Sequence, residues 1–211
     1  MDQLDSIAER IREDFERVNE ARDRAYQRSR QLTSLCSKTI RAIHREEWHV
    51  ANSLLGETRQ AASALVAGVS DHPNLYHAGY TQDAMKEYVE VFVTYALVRD
   101  QALPSPEELS VEYNTWLNGL AEAATEMRRR ILDLIRHRQN QEAERLLDVM
   151  STIYGTLVTF DFNDSITGGL RRRTDTVRAV LERTRGDVTT NFRQSELEAA
   201  LQALEGKLGK Q

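Results

Sequence analysis

Leu4, Ile7, Ile11, Phe15, Val18 and Ala25 recur at spacings of three, four or seven, while Glu9, Arg10, Glu13, Arg17, Arg22, Asp23 and Arg24 fill the other faces. That is the pattern of an amphipathic helix of coiled-coil type. Leu32, Leu35, Ile40 and Ile43 continue it with no Pro or Gly to stop it, so one very long helix, straight or kinked, is expected over about residues 2–47. So long a helix is expected to leave a flank for a partner helix or another subunit. A second helix is expected over 51–69, closed by Gly68 and the turn residues 70–74. A third runs from about Gln82 to Asp100 before the break at Leu103-Pro104-Ser105-Pro106. There Ser105 reads as an N-cap with Pro106 at N1 and Glu108 at N3. A fourth helix starts between Pro106 and Val111 and reaches His137; a fifth opens at Asn140 or Gln141 and carries Leu146, Leu147, Met150, Ile153, Leu157 and Phe160. After the cap-rich Asp161–Asp164, a sixth runs to about Arg185 and ends at Gly186. Gly168-Gly169 reads as close helix packing or a kink, not a phosphate loop.

Three Pro and ten Gly in 211 residues support an all-α fold of about six to seven helices. One domain over 1–190 is expected, followed at 191–211 by a short C-terminal helix or a mobile tail. The lone Cys36 excludes an internal disulfide framework and a multi-Cys zinc site. No apolar run approaches the roughly 20 residues of a membrane span, and Met1-Asp2-Gln3 does not open a signal peptide. A soluble, cytoplasmic protein is therefore expected.

The chemistry gathers around His77–Tyr95. Glu87 and Glu90 share a helical face. From Tyr88 to Leu97 the helix is otherwise apolar nearly all round, which predicts burial. A buried carboxylate must be neutralised, paired or bound to a cation. On the fourth helix Glu122 and Glu126, four apart, share a face among small residues such as Gly119, Ala121, Ala123 and Ala124. The short connection between the two helices predicts antiparallel neighbours with four converging carboxylates. Such an all-oxygen set suits Mg²⁺ or Mn²⁺, which can polarise a phosphodiester and activate water. An ion-pair lattice with the many Arg residues is the competing reading, in which the glutamates are structural.

A ferritin-like di-iron site needs two Glu-x-x-His motifs, and only Glu46 to His49 fits. His77 and His137 sit at helix ends, positions that suit capping better than ligation. There is no Gly-x-Gly-x-x-Gly, Walker loop, Gly-x-Ser-x-Gly or His-Glu-x-x-His. The net charge of −5 argues against binding nucleic acid over the whole surface. Yet all but four of the 28 basic residues are Arg, whose flat fork matches phosphate oxygens, so a local basic lining is the form to look for. His44-Arg45, Arg128–Arg130, Arg136–Arg138 and Arg171–Arg173 are the candidate clusters. Three adjacent Arg fan over about 200° of a helix, so about one in each cluster reaches a given phosphate. Sparse aromatic interleaving favours shape-based contact with a duplex over base stacking on single strands.

HAGYTQDAMKEYVE, PSPEEL, YNTWLNGLAEAATEMRR and TFDFNDSITGGLRRRTD together resemble the translin/Trax superfamily, in its single-gene archaeal form, from about Ile40 to Arg185. The resemblance implies an all-helical subunit of about seven helices that assembles into barrel- or shell-like octamers with nucleic acid inside. Trax-type members are Mg²⁺-dependent endoribonucleases, whereas translin-type members mainly bind nucleic acid. KEYVE is similar to the Trax stretch with two catalytic glutamates, which maps onto Glu87 and Glu90. The second Trax acidic pair maps onto Glu122 and Glu126, with Glu122 standing where Trax has the shorter Asp. With both pairs present the chain looks Trax-like, and the expectation is a homo-oligomer, octameric by resemblance, that cleaves short RNA with Glu-bound Mg²⁺ or Mn²⁺. His44, Arg45, Arg129, Arg171 and Arg172 are the candidate nucleic-acid contacts. The alternatives are a non-catalytic RNA- or DNA-binding shell and a helical assembly protein that binds neither.

Overall fold

The computed structural model of the chain describes residues 2–208. Its elements are α1 (Asp2–His44), α2 (Trp48–Ala67), α3 (Pro73–Tyr76), α4 (Gly79–Val98), α5 (Pro106–Leu109), α6 (Tyr113–Arg136), α7 (Asn140–Leu157), α8 (Asp164–Thr167) and α9 (Leu170–Leu208). Every element among the described residues is helical, and α3, α5 and α8 are single turns. The all-α expectation holds, with six long helices.

The directions of the long helices differ from the expectation in one respect that matters for the site. Contacts advance together along α4 and α6: Thr115 Oγ1 donates to Gln82 Oε1 at 2.7 Å, and Lys86 Nζ meets Glu122 Oε1 at 2.8 Å. The two helices are therefore parallel, not antiparallel. The cause is the connection. Residues 99–112 run back along the bundle before α6 begins, pinned where Trp116 Nε1 donates to the Pro104 carbonyl at 2.9 Å. The Ser105–Glu108 capping box forms, with reciprocal bonds of 2.7 and 3.1 Å. It caps only α5, because Ser110 turns left-handed at φ 54° and splits the expected fourth helix in two.

Parallel order also holds for α6 and α9, where Arg173 reaches Glu122 and Arg128 reaches Thr184 and Asp187. Along α1, Tyr26 stacks edge-on against Tyr80 at the start of α4, and His44 reaches Glu126 late in α6. Thus α1, α4, α6 and α9 run one way, while α2 and α7 return against their neighbours. The core joins them through Leu32, Leu65, Tyr88, Met127, Leu146 and Leu181, all buried.

Helix α9 corrects a second expectation. Gly186 does not end the helix, which continues to Leu208 as the same rod that was expected to restart at Asn191; residues 209–211 of that expected tail lie outside the described residues. The buried stripe Leu170, Thr174, Val177, Leu181, Thr184 and Val188 runs straight across the glycine. Packing on α6 and α7 outweighs the roughly 1 kcal/mol cost of a mid-helix glycine. Smaller shifts follow from local backbone. The left-handed Glu46, φ 58°, stops α1 three residues early and lets α2 start at Trp48. Gly168 and Gly169, φ 62° and 79°, make the sharp α8–α9 corner, which is the kink of the two expected alternatives.

Candidate active site

Helix α4 approaches α6 closely at Gly119. A Cβ there would lie 2.6 Å from Val89 Cβ and 2.8 Å from the Lys86 carbonyl. This small-residue seam brings Glu87 and Glu90 beside Glu122 and Glu126. All four line one cavity of about 500 Å³, closed on the third side by Cys36, Ser37, Ile40 and Arg41 of α1. The expected convergence of both pairs therefore occurs, in a parallel arrangement.

The four carboxylates are not equivalent. Glu122 Oε1 accepts from Lys86 Nζ at 2.8 Å and Arg173 Nε at 3.2 Å. Arg173 is itself held by Asn118 Oδ1 at 3.1 Å, and Asn118 Nδ2 donates to the carbonyls of Asn114 and Thr167, each at 2.7 Å. Glu126 Oε2 contacts His44 Nε2 at 2.7 Å, and that hydrogen bond, against the cost of burial, holds the Glu126 carboxyl below its usual range. Glu87 and Glu90 have no ion-pair partner among the described residues. Burial raises the Glu87 carboxyl despite the nearby Lys86. Burial first, then the charges of Glu122, Glu126 and Glu87, pushes Glu90 up to about 8. Burial, then the charges of Glu87 and Glu90, also push the Cys36 thiol up, so it is a poor nucleophile.

Glu122 is thus ion-paired and Glu126 hydrogen-bonded, while Glu87 and Glu90 have no ion-pair partner among the described residues. Among the described residues no group of three or more His, Cys, Asp or Glu is arranged to hold a metal ion. The reason is visible in the contacts: Glu122 turns toward Lys86 and Arg173, and Glu126 turns toward His44. The donor chemistry nevertheless fits a hard divalent cation, since the set is all oxygen and two of the carboxylates have no ion-pair partner among the described residues.

The expected basic residues divide. Arg129 lines the acidic cavity, joined by Arg41. The His44 ring, with its side chain 1% exposed, faces Glu126 instead of the surface. Arg45 is exposed and lines a separate pocket beyond His44. Arg171 and Arg172 stay on the surface, and it is Arg173 that turns inward. Sequence reasoning missed Lys86 and Arg173 as partners of Glu122, and Asn118 as the residue that holds Arg173. Asn118, four residues before Glu122 on one face, was the available signal. His137, as expected at a helix end, bonds the Asp133 carbonyl through Nδ1 at 2.7 Å.

No family model matches the chain. An uncharacterized protein of Methanocaldococcus jannaschii is 28% identical over 179 residues, 84% of this chain and 79% of that protein. Among solved structures, AfC3PO in complex with duplex RNA superposes with a TM-score of 0.82 at 28% identity, covering 88% of this chain and 96% of that one. Apo-NeC3PO gives a TM-score of 0.79 at 20% identity over 87% and 96%. AfC3PO and NeC3PO are translin-type proteins. This chain has the translin/Trax-like fold. The N-terminal part of α1 and the C-terminal part of α9 carry exposed apolar stripes at Leu4, Ile11 and Phe15 and at Leu197, Leu201 and Leu204. No helix among the described residues is long and apolar enough to cross a membrane.

Proposed function

We propose that this chain binds RNA within a translin-like homo-oligomer and cleaves it with Mg²⁺ or Mn²⁺ held by Glu87, Glu90, Glu122 and Glu126. The observation that carries the reading is Glu90: a largely buried carboxylate with no ion-pair partner among the described residues, in a cavity with three more carboxylates. A bound divalent ion would polarise the scissile phosphodiester and make an attacking water more acidic. One of the four carboxylates would orient that water or accept its proton. Arg41 and Arg129, exposed at the rim, can hold phosphate oxygens in place. Lys86 and Arg173 hold Glu122 in its orientation beside the cavity. RNA as the substrate class is supported by the likeness to AfC3PO, whose structure was solved with duplex RNA. The exposed apolar stripes on α1 and α9 support an assembly that would cover them, and an octamer is the copy number proposed.

A second reading, a non-catalytic RNA-binding shell, draws on the absence of a three-ligand arrangement among the described residues. One assay separates the two. With labelled short RNA, the wild type is expected to cleave in Mg²⁺ and not in EDTA. Glu122→Gln is expected to lose at least about 100-fold in rate while still binding RNA. Binding without cleavage in the wild type favours the shell, and cleavage that persists in EDTA or in Glu122→Gln contradicts the metal site.

A further inference from the structure

Behind His44 lies a second cavity of about 420 Å³, between the C-terminal ends of α1 and α6. Arg45, Arg130, Arg136 and His137 line it together with the carboxylates of Glu46 and Asp133. Its floor is built from buried polar groups. Arg130 has a side chain only 13% exposed and gives one terminal nitrogen to Glu46 at 2.5 Å. Its Nε is buried with no hydrogen-bond partner. The His44 ring shares its Nε2 with Glu126 and leaves Nδ1 buried and unpartnered. Arg136 is exposed and has no ion-pair partner among the described residues. The orphaned Arg130 Nε–H is costly unless something accepts from it. The left-handed backbone at Glu46 holds its carboxylate on one edge of the Arg130 fork and leaves the other edge without a partner.

We propose that this pocket is a phosphate subsite: it takes a phosphate of the RNA strand next to the one that lies at the acidic cavity. The inference rests on the RNA reading above. His44 is the shared wall, with Glu126 on one side and the arginines on the other, so cation chemistry and anion recognition stand back to back. A strand crossing that wall presents one phosphate to the carboxylates and its neighbour to Arg45, Arg130 and Arg136. The pocket then fixes which bond is cut, because it sets the strand's register by its backbone and not by its bases.

The test measures RNA binding in EDTA, where no cleavage is expected, by fluorescence anisotropy across a salt series. Two short RNAs of one sequence are used, with a 5′-phosphate and with a 5′-hydroxyl. Arg136→Gln, at an exposed side chain, is expected to fold normally and to reduce the slope of log K against log salt by about one. Affinity at about 0.15 M salt is expected to fall roughly three- to tenfold. Arg130→Lys, which keeps the charge and loses the fork, is expected to weaken binding with little change in slope. Equal losses on both RNAs assign an internal phosphodiester, and a loss confined to the 5′-phosphorylated RNA assigns the terminal phosphate; both support the subsite. An unchanged slope in Arg136→Gln, or Arg130→Lys binding as tightly as the wild type, overturns it and leaves the proposed function standing. A wild type that binds neither RNA overturns both.

Discussion

Gly119→Ala is expected to lower the melting temperature by about 5 °C and the Mg²⁺-dependent cleavage rate at least tenfold. The added methyl would sit 2.6 Å from Val89 Cβ and 2.8 Å from the Lys86 carbonyl, neither of which is the free end of a flexible side chain. Helices α4 and α6 must part, an overpacking cost of about 2 kcal/mol even after alanine's better helix propensity is counted, which for a chain of this size corresponds to roughly that shift in melting temperature. The rate loss should exceed the stability loss, because parting these two helices separates Glu87 and Glu90 from Glu122 and Glu126, and misplacement by about an ångström is costly in catalysis. Gly56→Ala in α2 provides the contrast. A Cβ there meets nothing within 4 Å, so that variant should gain about 0.5–1 kcal/mol and keep its activity. Calorimetry and the cleavage assay on the two variants check this. Equal, small effects at both glycines would contradict the close seam.

Glu90→Gln is expected to raise the melting temperature at pH 8, by roughly 5–10 °C in EDTA, and to leave it nearly unchanged at pH 4. The Glu90 carboxyl goes from an ordinary 4.5 to about 8 in the folded chain. Below the ordinary value both folded and unfolded chains hold the proton. Between there and about 8 the unfolded chain has released it and the folded chain has not, so the stability carried by the neutral acid falls as pH rises through that window. Glutamine cannot ionise and escapes the loss. Allowing for its partial exposure, the difference at pH 8 is on the order of 2–3 kcal/mol, equivalent to the shift given. Mn²⁺ should reverse the ranking, stabilising the wild type and leaving Glu90→Gln unmoved. A Glu90→Gln protein no more stable than the wild type at pH 8 would mean that Glu90 is not held against its charge.

Much of this was legible in the chain. The periodic apolar stripes gave the six long rods, and the KEYVE and Glu122–Glu126 spacings placed four carboxylates on two faces that do meet. What failed depended on information outside any one helix. The parallel order of α4 and α6 is set by the path of residues 99–112, and a connection's length does not say whether the chain turns at once or runs back. Gly186 looked like a stop because its local propensity is poor, yet the stripe from Leu170 to Val188 carries the helix through it. Arg173 rather than Arg171 or Arg172 turns inward because only that position of α9 faces Glu122 and Asn118, a fact of helix rotation. His44 showed its basic character in the sequence, but its contact with Glu126, eighty-two positions away, belongs to the tertiary structure.

The most direct measurement is anomalous X-ray scattering from crystals of the protein grown with Mn²⁺. A peak between α4 and α6, within bonding distance of carboxylates from both Glu87–Glu90 and Glu122–Glu126 and with Glu122 released from Lys86, is the result expected. No peak there at saturating Mn²⁺, with Glu122 still on Lys86 and Arg173 and Glu126 still on His44, would contradict the metal site and leave the non-catalytic RNA-binding shell as the surviving alternative.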